Sequence, residues 1–237
     1  MSFRSRHLIL LALVLASALC VRLGFWQIGR LHQRQAANRA SLAARAEPPV
    51  SLNGPAGISP DSLAERWVTA TGTYDFAHEI VVRGQVYEGN PGVYLVTPLR
   101  LGRGDTGVLV NRGFVPAPDA VRASTEGLEE PGEVKVSGLA QAIGSGAGKP
   151  LPVDGRATWA RLDLAALGSA LPYPILPVVI RQSPDSALPR FPRRLPPPEL
   201  DQGPHLSYAV QWFLFAAMIL AFAVLVVAKG VPVRRAP

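Results

Sequence analysis

The chain has 237 residues, 48% of them hydrophobic, a single cysteine and a formal net charge of +7. Its length suffices for one domain with a real core, while the lone Cys20 excludes a disulfide framework, a Cys-x-x-Cys redox pair and a thiolate metal site. The charge does not mark a nucleic-acid binder: Arg4, Arg6, Arg22, Lys229, Arg234 and Arg235 sit towards the ends, which leaves 18 of the 24 basic residues against all 17 acids between residues 25 and 205.

Residues 1–7 carry Arg4 and Arg6 and read as a cytoplasmic N-terminus. Leu8 to Val21 is an apolar run of 14 residues. By itself it suits the core of a signal peptide, and Ala16 to Ala18 ("ASA") offers an A-x-A cleavage site. Leu19 before Cys20 is too bulky for a lipoprotein site. Continued past Arg22 to Ile28, the run makes an uncleaved span over 8–28, with Arg22 able to snorkel and Phe25 and Trp26 at aromatic-belt depth. The uncleaved span is favoured.

Residues 29–65 open with good helix formers and no proline, so a polar helical extension and a loop are expected. Between 66 and 182 short runs alternate apolar and polar residues: Arg66–Asp75, His78–Tyr87, Gly92–Arg100, Gly107–Val115, Gly132–Ala140 and Tyr173–Gln182. Turns at Glu88–Gly92 and Arg103–Asp105 separate some of them. Residues 117–131 suit a short helix or a loop, and Gly144–Gly155 a flexible loop. Residues 183–204 are Pro-rich and read as an extended strap.

The second span covers 205–228. Leu206 to Ala228 is 23 residues, about 34 Å as a helix against a hydrocarbon core of about 30 Å. Lys229, Arg234 and Arg235 in residues 229–237 place its C-terminal end in the cytoplasm. The expected fold is therefore a membrane protein of the α+β class, with two transmembrane helices flanking a mainly antiparallel, barrel- or sandwich-like extracytoplasmic β domain.

Known catalytic patterns are missing from the sequence. "GSGAGKP" departs from a phosphate loop at Ile143 and Pro150, and His7, His32, His78 and His205 show no metal-ligand spacing. His205 is different because of where it sits. On a helix, His205, Tyr208, Trp212 and Phe215 fall within about 80° of one another, with Gln211 at the edge of that arc. Two readings stand: an interfacial aromatic anchor, or an axial imidazole beside flat groups that suit a haem.

"LGFWQIGR" around Trp26 and Gln27, "GTYD" at Gly72, "VTPL" at Val96, "LVNRGFVP" at Leu109 and "HLSYAVQWF" at His205 appear in order across the chain. Together with two spans they resemble the surfeit-locus (SURF, or Shy) family of cytochrome oxidase assembly factors. Phe114 stands where family members usually carry Trp, and a basic residue usual after the Trp-Gln pair is represented at best by Arg34. The resemblance implies an assembly factor, not an enzyme, that binds haem a as cargo and helps insert it into oxidase subunit I. Haem a synthase and membrane lipid are then the further partners. The alternative is a clamp that stabilises assembly intermediates and never ligates haem. The family's proposed haem-ligating histidine falls on His205 and its nearby tryptophan on Trp212. Tyr208 and Phe215 would pack on the macrocycle, and Arg22 or Arg30 would meet propionates or face lipid headgroups. With no transit peptide ahead of the Leu8 run, a bacterial plasma membrane with residues 29–204 in the periplasm is expected.

"VNRGFVP" has two readings as well. Gly113 suits a bulge, Phe114 a core position and Pro116 a strand end. Alternatively, Asn111 and Arg112 beside Gly113 form a docking surface for an oxidase subunit or haem synthase.

Overall fold

An apolar run followed by a polar extension, neither containing proline, carries the first helix well past a membrane's thickness. The computed structural model describes residues 3–54, 59–102, 106–146 and 149–228, and helix α1 runs unbroken over Phe3–Ala46. It stops just ahead of Pro48 and Pro49, the usual place for a helix to end. Strands β1 (Val50–Ser51), β2 (Trp67–Tyr74), β3 (Ile80–Tyr87), β4 (Asn90–Leu101), β5 (Gly107–Pro116) and β6 (Glu133–Ala142) follow. After them come β7 (Leu151–Val153), β8 (Arg156–Trp159), helix α2 (Leu164–Ala170), β9 (Ile175–Gln182) and helix α3 (His205–Ala228). Lys229, Arg234, Arg235 and the Arg103–Asp105 turn lie outside the described residues, as do the side chains of Arg4 and Arg6.

Contacts divide the chain into two units, Met1–Ala40 with Leu200–Pro237, and Ser41–Glu199. In the first, α1 and α3 are both long and apolar enough to cross a bilayer. They run antiparallel. Ser17 Oγ donates to the carbonyl of Ala216 (3.2 Å), and the rings of Phe25 and Phe213 meet edge-on at 5.3 Å. Small residues let the backbones approach, as in other membrane helix pairs. Ala209, Ala216 and Ala223 recur every seventh residue and are buried, and a Cβ at Gly24 would lie 2.5 Å from the Phe213 ring. The remaining surface is apolar, with Leu8, Leu15, Met218 and Phe222 exposed, as a lipid-facing surface requires.

The second unit is a nine-stranded sheet that closes on itself. Its order is β1-β2-β6-β9-β5-β4-β3-β8-β7, and an additional β2–β4 pairing joins the second strand to the sixth. Strands β2, β6, β9, β5 and β4 thus form a barrel. Strand β4 is the branch point: Asn90 to Val96 pair with β3, and Leu99 to Leu101 pair with β2. Between them Pro98 has no N–H to give, while its carbonyl accepts from the Asp75 N–H (2.8 Å). Most pairings are antiparallel; β5–β9, β3–β8 and β1–β2 are parallel. Alternate residues of β2, β5 and β9 (Val68, Ala70, Val108, Val110, Val178 and Ile180) fill the barrel. A second core on the outer face of the sheet gathers Ile80, Val96, Leu109 and Val179 under Leu167 of α2.

The α+β membrane class holds, and all six expected strands form. Part of the expected Gly144–Gly155 loop is instead the β7–β8 hairpin, in which Asp154 and Gly155 occupy the turn with φ of 50° and 76°. Asp-Gly between two short runs is a strong hairpin signal, and here it outweighs the glycines around it. Helix α2 also lies outside the expected elements. Its start is set by Asp163, whose Oδ1 accepts from the Ala166 N–H at 3.0 Å. Within 117–131 there are turns and no helix, and the 183–199 segment has no helix or named strand.

Candidate functional site

His205 opens α3, and its ring is held by α1. Its Nδ1 lies 2.9 Å from Gln27 Oε1. An amide oxygen only accepts, so Nδ1 carries the hydrogen, and in the neutral form of the ring the lone pair lies on Nε2. The same relationship orients histidines that bind metals through their other nitrogen. Gly203, with φ of 71°, lies against the Nε2 edge, where a Cβ would sit 3.3 Å from both Nε2 and Cδ2 of His205. A side chain there would be strained and would crowd the free nitrogen.

The segment leading into His205 is fixed by α1 as well. Asn38 Nδ2 donates to the carbonyls of Leu200 and Asp201 (both 3.1 Å), and Arg34 Nε donates to Asp201 (2.9 Å). Arg34, present in the sequence only as a weak family match, therefore positions the chain just ahead of His205.

The other expected residues fall into three groups. Trp212 is half-buried and meets Phe215 edge-on with ring centroids 5.9 Å apart. Tyr208 and Phe215 are 45% and 44% exposed, on the flank of α3 rather than against α1. Trp26, Arg22 and Arg30 are exposed on α1, and Arg30 donates to Gln33 (3.1 Å). The structure thus joins His205 to Gln27 and Trp212 to Phe215.

In the β domain, "VNRGFVP" is a bulge. Leu95 of β4 faces Gly113 and Val96 faces Asn111, so Arg112 is the extra residue on β5. Gly113 has φ of 129°, and a Cβ there would fall 2.2 Å from the carbonyl of Arg193. Asn111 Oδ1 accepts from the Gly113 N–H (3.0 Å), and Phe114 is 2% exposed. The docking role expected of Arg112 is corrected here, because its side chain is 1% exposed and has no surface to offer. The bulge turns it inward. There it donates to Glu79 Oε2 (3.0 Å), Glu130 Oε1 (2.8 Å) and the Leu128 carbonyl. Its guanidinium lies 5.2 Å and 5.1 Å from the ring centroids of Tyr74 and Phe76.

Arg194, 7% exposed, completes the cluster by donating to Glu130 Oε1, to Gln182 Oε1 (3.0 Å) and to the Pro192 carbonyl (3.0 Å). Burial works against the Glu130 charge, but hydrogen bonds from Arg112 and Arg194 outweigh it and hold the carboxyl below its usual range. Two arginines and two glutamates balance. Nothing in local periodicity marks Glu79, Glu130 or Arg194 as partners, since they come from three separate segments.

Comparison with known proteins adds two findings. The SURF1 family model matches residues 14–217. A SURF1-like protein of Monosiga brevicollis is 29% identical over 223 residues, which cover 88% of this chain and 83% of that protein.

Proposed function

The chain belongs to the SURF1 family, whose members are cytochrome oxidase assembly factors, and from that premise we propose that it receives haem a at the head of α3 and assists its insertion into oxidase subunit I. Haem a is cargo in this reading. His205 supplies a neutral imidazole whose Nε2 is free for the iron, and Gln27 holds the ring in that tautomer. Trp212 and Phe215 offer an apolar, aromatic flank, and Arg22 and Arg30 are the cations on the neighbouring helix for the propionates. Haem a synthase is the proposed donor and subunit I the proposed acceptor.

The proposed setting is a bacterial inner membrane, with both termini in the cytoplasm and residues 29–204 in the periplasm. Basic residues next to both spans support that orientation.

The observation that carries this reading is the Gln27–His205 hydrogen bond between the two spans. It is tested by the absorption spectrum of the detergent-purified protein, co-expressed with the haem a synthesis machinery, beside His205→Ala. A haem a signal that shifts or disappears in the variant supports the reading. A colourless but folded wild type overturns it in favour of a scaffold that acts through contacts alone.

A further inference from the structure

The β domain carries a cleft with no part in the haem reading. Its volume is about 310 Å³, at the lower end of the roughly 300–1,000 Å³ range of small-molecule sites. Phe76, Ile80, Leu128, Trp159 and Leu171 give it apolar walls. Trp159 is 2% and Ile80 5% exposed, so the walls are part of the packed domain.

Its charged or protonatable lining is His78, Arg112, Arg156, Glu79 and Glu129, and of these His78 and Arg156 are the groups with capacity left for an anionic ligand. His78 is oriented from behind: its Nδ1 is 2.8 Å from Asp75 Oδ2, and Tyr173 Oη donates to the same oxygen at 2.6 Å. Partial burial opposes the charge on Asp75, yet the hydrogen bonds from Tyr173 and His78 prevail and keep its carboxyl below the usual range. An ionised Asp75 requires a proton on Nδ1, and Nε2 is left for a ligand. Arg156 is the second group. It donates to Thr125 Oγ1 and has no carboxylate partner among the described residues. The two carboxylates in the lining are Glu79, neutralised by its ion pair with Arg112, and Glu129, which lies exposed.

A cleft with apolar walls, lined also by an oriented imidazole and by an exposed guanidinium that has no carboxylate partner among the described residues, selects a particular kind of molecule. We propose that this cleft binds a carboxylic acid with an apolar chain. Arg156 and His78 Nε2 hold the carboxylate, and the chain lies along Phe76, Ile80, Leu128, Trp159 and Leu171. With Asp75 accepting at Nδ1, a carboxylate at Nε2 accepts a charge-assisted hydrogen bond from the protonated ring, in which both nitrogens donate. Asp75 and Tyr173 are positioning residues for His78.

The test is photolabelling of the full-length chain in lipid nanodiscs with a diazirine-bearing dodecanoic acid, followed by peptide mapping. Adducts are expected within residues 76–81 and 156–171. Arg156→Ala should reduce them about tenfold, the scale of one lost charged hydrogen bond. Ala157→Trp, which fills the cleft from an exposed position, should abolish them while leaving the melting temperature unchanged. The corresponding diazirine alcohol should label weakly. Adducts confined to α1 and α3, or cleft labelling indifferent to both substitutions, would overturn the proposal. Neither result bears on haem binding at His205.

Discussion

Arg112 and Arg194 donate to one and the same carboxylate oxygen, Oε1 of Glu130. Two like charges share a buried acceptor because Glu79 supplies the second negative charge from the other side of Arg112. The first arginine is the bulge residue of β5 and the second lies in the Pro-rich segment. A single ion cluster therefore fastens that segment to the barrel, alongside the paired backbone hydrogen bonds of Phe114 and Arg193 (both 2.8 Å).

Glu130→Gln should leave two enclosed guanidiniums facing one carboxylate. Removing one member of a buried ion pair typically destabilises by about 3–5 kcal/mol, so the β domain should melt well below the wild type by circular dichroism. A change within about 0.5 kcal/mol, the scale of an ordinary surface substitution, would mean that the cluster contributes little.

The same cluster gives a pH dependence whose sign is fixed. Glu130 has a lowered folded-state pKa, so its contribution is fully present above the unfolded value and is lost as pH falls through the folded one. In that interval the unfolded state binds more protons. Stability of the β domain should therefore drop as pH is lowered below about 5. The slope should be shallower in Glu130→Gln. Denaturant melts of both proteins at several pH values measure it, and parallel curves would contradict the assignment.

Gly113→Ala should loosen the Pro-rich segment selectively. The new methyl would fall 2.2 Å from the Arg193 carbonyl at a φ of 129°, and strain of this kind costs about 1–3 kcal/mol. Limited proteolysis should cut within residues 183–199 much faster than in the wild type, before the barrel unfolds. Unchanged cleavage would show that the close approach is dispensable.

Gln27→Leu should act on haem through His205 without touching it. With no acceptor at Nδ1, the ring is free to change tautomer and rotate. Loss of such an orienting partner typically lowers metal affinity by 10–100-fold, so haem a stoichiometry after purification should drop by about tenfold or more. Gln27→Glu retains the acceptor and should preserve the spectrum. Equal spectra in all three proteins would remove Gln27 from the site.

Local patterning made the two spans and six strands legible. A 23-residue apolar run and period-two alternation each report an environment that the chain itself must satisfy. The β7–β8 hairpin and α2 also had local signals, Asp154-Gly155 and Asp163, but these were short and set among glycines and alanines that favour no single structure. Arg112 shows the limit from the other side. Its sequence neighbours allow a surface or a core position equally, and only the bulge at Gly113 decides for the core.

By itself the sequence determined the class of protein, the order of its two spans and six main strands, the family motifs and the place of His205 at the head of a span. Closure of the barrel through β2 and β4, the four-charge cluster and the choice of Gln27 as partner for His205 were decided by tertiary structure alone. The physical reason is common to all three. Each joins residues far apart in the chain, and a hydrogen bond or ion pair depends on distances that sequence periodicity does not encode.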